Sequence, residues 1–141
     1  MNKFDQSLAE GYVKRIPIST LRAKSLIKSA EEAIATAKDI PLKEGKLKSI
    51  FRELYEGLRE YCEAMGYLKG YKFQTHEVIT HFISDILKEE NISKKFDRYR
   101  RLRNGINYYG ESIAKETVQE ALEEIPKIKK ELEKYTNSVN Q

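Results

Sequence analysis

Lys43–Leu68 reads "KEGKLKSIFRELYEGLREYCEAMGYL". Within it Leu47, Ile50, Phe51, Leu54, Leu58, Tyr61, Cys62, Met65 and Leu68 recur three or four residues apart. That spacing lines them along one continuous apolar stripe of a long helix. Gly70 suits the C-terminal cap of this helix. The short segment up to Thr75 then turns the chain back antiparallel.

The same period extends in both directions. Upstream, Ser19 or Thr20 caps a helix running to about Asp39, with Leu26, Ile27, Ala30, Ala33, Ile34 and Ala37 inward and Pro41 marking the break. The small alanines permit close helix approach. A shorter helix is expected over about residues 2–14, ending before Pro17. Downstream, Thr75 caps a fourth helix with Val78, Ile79, Phe82, Ile83 and Ile86 on its inner face. Ser93 is expected to cap a fifth.

A last helix follows Gly110, burying Ala114, Val118, Ala121, Leu122, Ile125, Leu132 and Tyr135. Its acidic first half and basic second half complement the helix dipole, and Pro126 is expected to kink or split it. Nothing reads as a strand. The expected fold is all-α, an up-and-down antiparallel bundle of five to six helices. One domain is expected over 1–141: an N-terminal helix and connection over 1–18, the bundle over 19–136, and a disordered tail over 137–141.

Bulk properties agree with a charged globular chain. It has 141 residues, 40% hydrophobic and 34% charged, enough for one core. No apolar run approaches the ~18–20 residues that span a bilayer, and "MNKFDQSLAEGYVKR" lacks the apolar centre of a signal peptide. Cys62 is the only cysteine, which rules out an intrachain disulfide or a cysteine-based metal site. A cytoplasmic location without membrane partners is expected, and the Lys/Glu-rich surface suggests a thermophilic source.

The net charge is +4, yet "KKFDRYRRLR", residues 94–103, alone carries +5, leaving −1 elsewhere. Such a local excess is what an anion-docking surface presents; a solvated helix face would look the same. At 100° per residue the fifth helix divides into faces. Tyr99, Leu102, Ile106 and Tyr109 point to the core. Arg100, Arg103, Asn104 and Asn107 form a polar stripe suited to phosphate, because arginine forks and amides converge several donors. Arg98 and Arg101 point elsewhere. Gly105 costs the helix roughly 1 kcal/mol relative to alanine, and the gap there would admit a close neighbour such as a second copy of the helix. The alternative is that these arginines pair with glutamates of the last helix.

"RNGINY", residues 103–108, with "GYKFQTHEVITHF", residues 70–82, resembles HEPN domains (higher eukaryotes and prokaryotes nucleotide-binding), over roughly residues 43–135. Members of that family carry Arg, then a polar residue, then a His a short helical interval later. The resemblance implies a homodimer whose two motifs face one cleft. It also implies metal-independent, cofactor-free chemistry on RNA or nucleotide. Many members are ribonuclease toxins paired with a nucleotidyltransferase-like antitoxin; others are non-catalytic binding or assembly modules. Carried over, Arg103 would bind a phosphate and Asn104 would orient the site.

Tyr108 occupies the histidine position. Tyrosine, with a pKa of ~10, is only about 0.1% ionised at neutrality, and roughly 4 kcal/mol of differential stabilisation would be needed to bring it there. Gly110 replaces the tyrosine that some toxins carry two residues further on.

Three readings follow. The first is a degenerate homodimeric RNA- or nucleotide-binding module. The second is a ribonuclease using Arg103, Asn104 and Tyr108. The third is a structural subunit with an acidic protein partner. His76 and His81 diverge by about 140° on a helix, which excludes a two-histidine metal clamp and makes each a cap or boundary residue. Cys62, Tyr61 and Tyr67 read as packing residues.

Overall fold

The computed structural model describes residues 1–139. Its elements in chain order are α1 (Lys3–Glu10), β1 (Val13–Arg15), α2 (Thr20–Asp39), α3 (Leu47–Lys69), β2 (Tyr71–Phe73), α4 (Glu77–His81), α5 (Glu90–Tyr109) and α6 (Lys115–Leu132). The fold is an all-α bundle with α3 at its centre. The predicted stripe of α3 is buried from Leu47 to Met65, but Tyr55, Gly57, Ala64 and Gly66 are buried as well. A helix apolar on one side and small on another seats neighbours on both. Against the apolar side lie α5 and α6, through residues such as Phe96, Tyr99, Ile106, Val118, Ile125 and Leu132. Against the small side lies α2. A β-carbon on Gly57 would sit 2.8 Å from Ile34 Cγ1 and 3.0 Å from the Ala30 carbonyl oxygen.

Several boundaries fall where the cap chemistry put them. Ser19 Oγ accepts from the Arg22 N–H at 3.2 Å, α2 ends at Asp39, and Gly70 closes α3 in the left-handed region at φ 82°. Thr75 Oγ1 accepts from the Val78 N–H at 3.3 Å, so it caps α4 as expected.

Other expectations are corrected. The first helix stops at Glu10 because Gly11 adopts φ 82°, and Val13–Arg15 then pairs antiparallel with Tyr71–Phe73. Strands of three residues are too short to leave an alternation pattern in sequence. Ser93 lies inside α5, which begins at Glu90; its hydroxyl donates to the Thr80 carbonyl at 2.9 Å, tying α5 to α4. The last helix begins at Lys115 rather than directly after Gly110, and it runs unsplit through Pro126. Buried Ile125, Ile128 and Leu132 hold both sides of the proline against the core. That offsets the lost backbone hydrogen bond. Of the tail expected to be disordered, Asn137–Val139 form a 3-10 turn and Val139 packs with Ala23, Ile27, Ala30, Tyr61 and Ala64. Residues 140–141 lie outside the described residues.

The fourth helix changes pitch after one turn. Phe82–Ile86 is π-helical, with the Leu87 N–H donating to the Phe82 carbonyl at 3.1 Å. Two residues past its end, Lys88 adopts a φ of 61°. A β-carbon in that region costs energy that glycine avoids. Lys88→Gly is therefore expected to raise stability by about 1 kcal/mol, read as a higher urea midpoint at unchanged m-value.

Candidate functional site

The α5 cations divide according to what faces them. Arg98 pairs with Glu120 of α6 at 2.5 Å and Lys95 with Glu124 at 3.2 Å. Arg100 and Arg101 both turn to Asp97, at 2.8 and 2.9 Å. Burial raises the Asp97 carboxyl, but hydrogen bonding from Arg100 and the charges of Arg100 and Arg101 outweigh it and hold the group below its ordinary value. Asp97 thus gathers two arginines from different sides of the helix, Arg100 largely covered and Arg101 exposed.

Arg103 is different. Among the described residues no carboxylate lies within ion-pair distance of it. Its guanidinium instead lies 5.8 Å from the ring centroids of both Tyr55 and Tyr108. Cation–π contacts at that range hold a guanidinium while leaving its N–H edge available. Arg103 and Asn104 are half-buried, whereas Asn107 is exposed and accepts from Arg52 Nε at 2.8 Å. Lys48 Nζ donates to the Gly110 carbonyl at 3.4 Å, adding a further cation at this end of α5. Of the polar stripe, Asn107 is engaged by Arg52 of α3 and Arg100 by Asp97. Tyr108 is 68% exposed.

Two expectations about this edge are corrected. Tyr109 is 78% exposed rather than part of the core, because the last turn of α5 overshoots its neighbours; the next buried apolar side chain is Ile113 of the following connection. The gap at Gly105 is filled from within the chain. Glu111 folds back, its N–H donating to the Gly105 carbonyl at 3.1 Å. Its carboxylate occupies the space where a β-carbon would lie. A second copy of the helix does not have that space.

Behind Arg103 stands a cluster that the sequence did not reveal. Tyr55, fully within the core, bonds its hydroxyl to His76 Nδ1 at 3.0 Å. Arg59, one turn further along α3, donates through Nε to Glu56 at 3.2 Å and also pairs with Glu63. Glu56 and Glu63 of "EGLREYCE" are thus both held by Arg59. Burial pushes the Tyr55 phenol up, partly opposed by Arg103 and Arg59. Burial, then the charges of Arg59, Arg103 and Arg100, lower His76 to about 4. Tyr55 and Arg59 sit four apart on one helix face, which is the signal available in sequence; His76 joins only through the tertiary fold.

A depressed histidine has a defined pH signature. The unfolded chain takes up this proton near 6.5 and the folded chain only near 4. Stability contributed by neutral His76 is thus complete above about pH 6.5 and lost as pH falls towards 4. Discounted for partial solvent exposure, the loss amounts to about 1–2 kcal/mol. Urea titrations of wild type and His76→Asn between pH 7 and 4 check this, the variant being expected to show the shallower decline.

The remaining sequence candidates are structural. Cys62 is buried, its thiol pushed up to about 12 by burial. The Tyr61 hydroxyl bonds to Thr136 Oγ1 at 2.6 Å, and Tyr67 lies beneath Arg22. Among the described residues no helix is long and apolar enough to cross a membrane. Comparison of the chain with protein-family models, curated proteins and solved structures returns no match.

Proposed function

We propose that this chain is a HEPN-like module that pairs with a second copy along the α5 edge. There it holds an RNA or nucleotide phosphate at Arg103 without cleaving it. One observation carries this reading: Arg103 is the α5 arginine without a carboxylate, while Arg98, Arg100 and Arg101 are each neutralised within the chain. A half-buried guanidinium supported by two tyrosine rings is oriented in advance for a phosphate, which lowers the ordering cost of binding.

The absence of cleavage follows from proton chemistry. General acid–base catalysis works best with a group titrating near the operating pH. The histidine nearest Arg103 is lowered to about 4 and bound to Tyr55, and Tyr108 is a phenol two-thirds exposed to water. The site has a cation to hold a phosphate and lacks a group suited to moving its protons.

The test combines oligomeric state by analytical ultracentrifugation with RNA binding by fluorescence anisotropy at two salt concentrations. A dimer is expected, with affinity falling as salt rises and weaker again in Arg103→Ala. Incubation with mixed RNA and chelator is expected to leave the RNA intact. A strict monomer without salt-sensitive binding contradicts the reading.

A further inference from the structure

A second basic surface forms at the other end of α3. Residues 12–30 contain Lys14, Arg15, Arg22, Lys24 and Lys28 and no carboxylate; residues 64–76 contain Lys69 and Lys72 and again none. The fold joins these two stretches. The β1–β2 ribbon places Lys14 directly opposite Lys72, the Ile16 N–H donates to the Gly70 carbonyl at 2.9 Å, and the Ser19 N–H to the Tyr67 carbonyl at 3.2 Å. Among the described residues none of these seven cations has a carboxylate within ion-pair distance. Like charges facing across a ribbon destabilise it, so the Lys14–Lys72 pairing concentrates positive charge here at some cost to the ribbon. The positive excess of the chain is consequently not confined to residues 94–103.

Two aliphatic side chains stand in the middle of this surface. Ile18 is 64% exposed and Leu21 76% exposed, one on each side of the Ser19 cap of α2. Two rings near this surface carry a guanidinium, Tyr71 under Arg15 at 5.6 Å and Tyr67 under Arg22 at 5.8 Å, while Tyr12 is 48% exposed. Single-stranded nucleic acid binds basic surfaces by stacking bases on free aromatic faces, and here the most exposed apolar side chains are aliphatic, Ile18 and Leu21 standing further into solvent than Tyr12. Protruding aliphatic tips ringed by unpaired cations suit an anionic bilayer instead. Its headgroups meet Lys and Arg while its acyl boundary receives the apolar side chains.

We infer that the β1–β2 ribbon and the first turn of α2 form a peripheral docking surface for anionic phospholipid. Ile18 and Leu21 enter the headgroup layer, and Lys14, Arg15, Lys69 and Lys72 meet lipid phosphates. This is adsorption, not spanning, and it is independent of Arg103. Tyr55 under Arg103 and Tyr67 beside Ser19 are separated by about 18 Å along α3.

Co-sedimentation of the full chain with vesicles tests the inference. Wild type is expected to bind phosphatidylcholine vesicles containing phosphatidylglycerol and to leave pure phosphatidylcholine vesicles free. Lys14→Glu with Lys72→Glu is expected to weaken binding at least about tenfold. Ile18→Ser with Leu21→Ser is expected to weaken it about fivefold while keeping the salt dependence. Arg103→Ala is expected to bind like wild type, and thermal melts establish that each variant is folded.

Equal binding to both vesicle types, no binding, or binding indifferent to both double variants overturns the inference. So does loss of single-stranded RNA binding in Lys14→Glu/Lys72→Glu without any vesicle binding by wild type, which would make the face a nucleic-acid surface.

Discussion

Gly57→Leu is expected to destabilise the protein by about 3 kcal/mol or more, enough to remove much of the stability of an ordinary domain. The cause is the approach of α2 to α3. A β-carbon alone at this position meets Ile34 Cγ1 at 2.8 Å and the backbone oxygen of Ala30 at 3.0 Å. The Ile34 tip can turn, but the Ala30 oxygen belongs to a helix backbone and moves only with α2. Gly57→Ala is a graded control. It gains roughly 1 kcal/mol in helix propensity and loses packing, so a net cost of about 1 kcal/mol is expected. Denaturant melts of the three proteins check the order glycine, alanine, leucine. An equally stable Gly57→Leu would mean that the two helices are not held this closely.

The second large effect concerns binding. Arg103→Glu is expected to reduce RNA affinity by about a hundredfold, since it removes a charge-assisted contact worth roughly 1.5–3 kcal/mol and adds a repulsive charge. Arg98→Glu changes the net charge equally, but its wild-type arginine already pairs with Glu120. Reversing it is expected to cost less than about tenfold, through the general field of the surface alone. Anisotropy titrations at one salt concentration separate the two. Equal losses would mean that binding responds to net charge and that Arg103 holds no special position.

What was legible in sequence was local chemistry with strong signals. The stripe of α3, the Ser19 and Thr75 caps and the Gly70 stop depend on residues within one or two turns, and all stand. Where three-dimensional surroundings decide, the sequence misled. Ser93 has the chemistry of a cap, but the packing of α5 on α4 places it within the helix, bonded to Thr80. Tyr109 follows the apolar period of α5, yet a helical period does not reveal where the neighbouring helix ends.

The candidate site divides in the same way. The stripe containing Arg103 was readable from 100° spacing. That Arg103 is the α5 arginine without a carboxylate was not, because this depends on Asp97 taking Arg100 and Arg101 and on Glu120 taking Arg98. The Tyr55–His76 bond joins residues 21 apart across the ribbon turn, beyond the reach of any periodicity.

Side-chain NMR of Arg103 during titration with a short single-stranded RNA tests the central proposal most directly. A guanidinium that grips phosphate shifts its Nε–Hε resonance in step with binding, and the ring signals of Tyr55 and Tyr108 move with it. Saturated binding that leaves all three unmoved, with shifts confined to other parts of the surface, would contradict it.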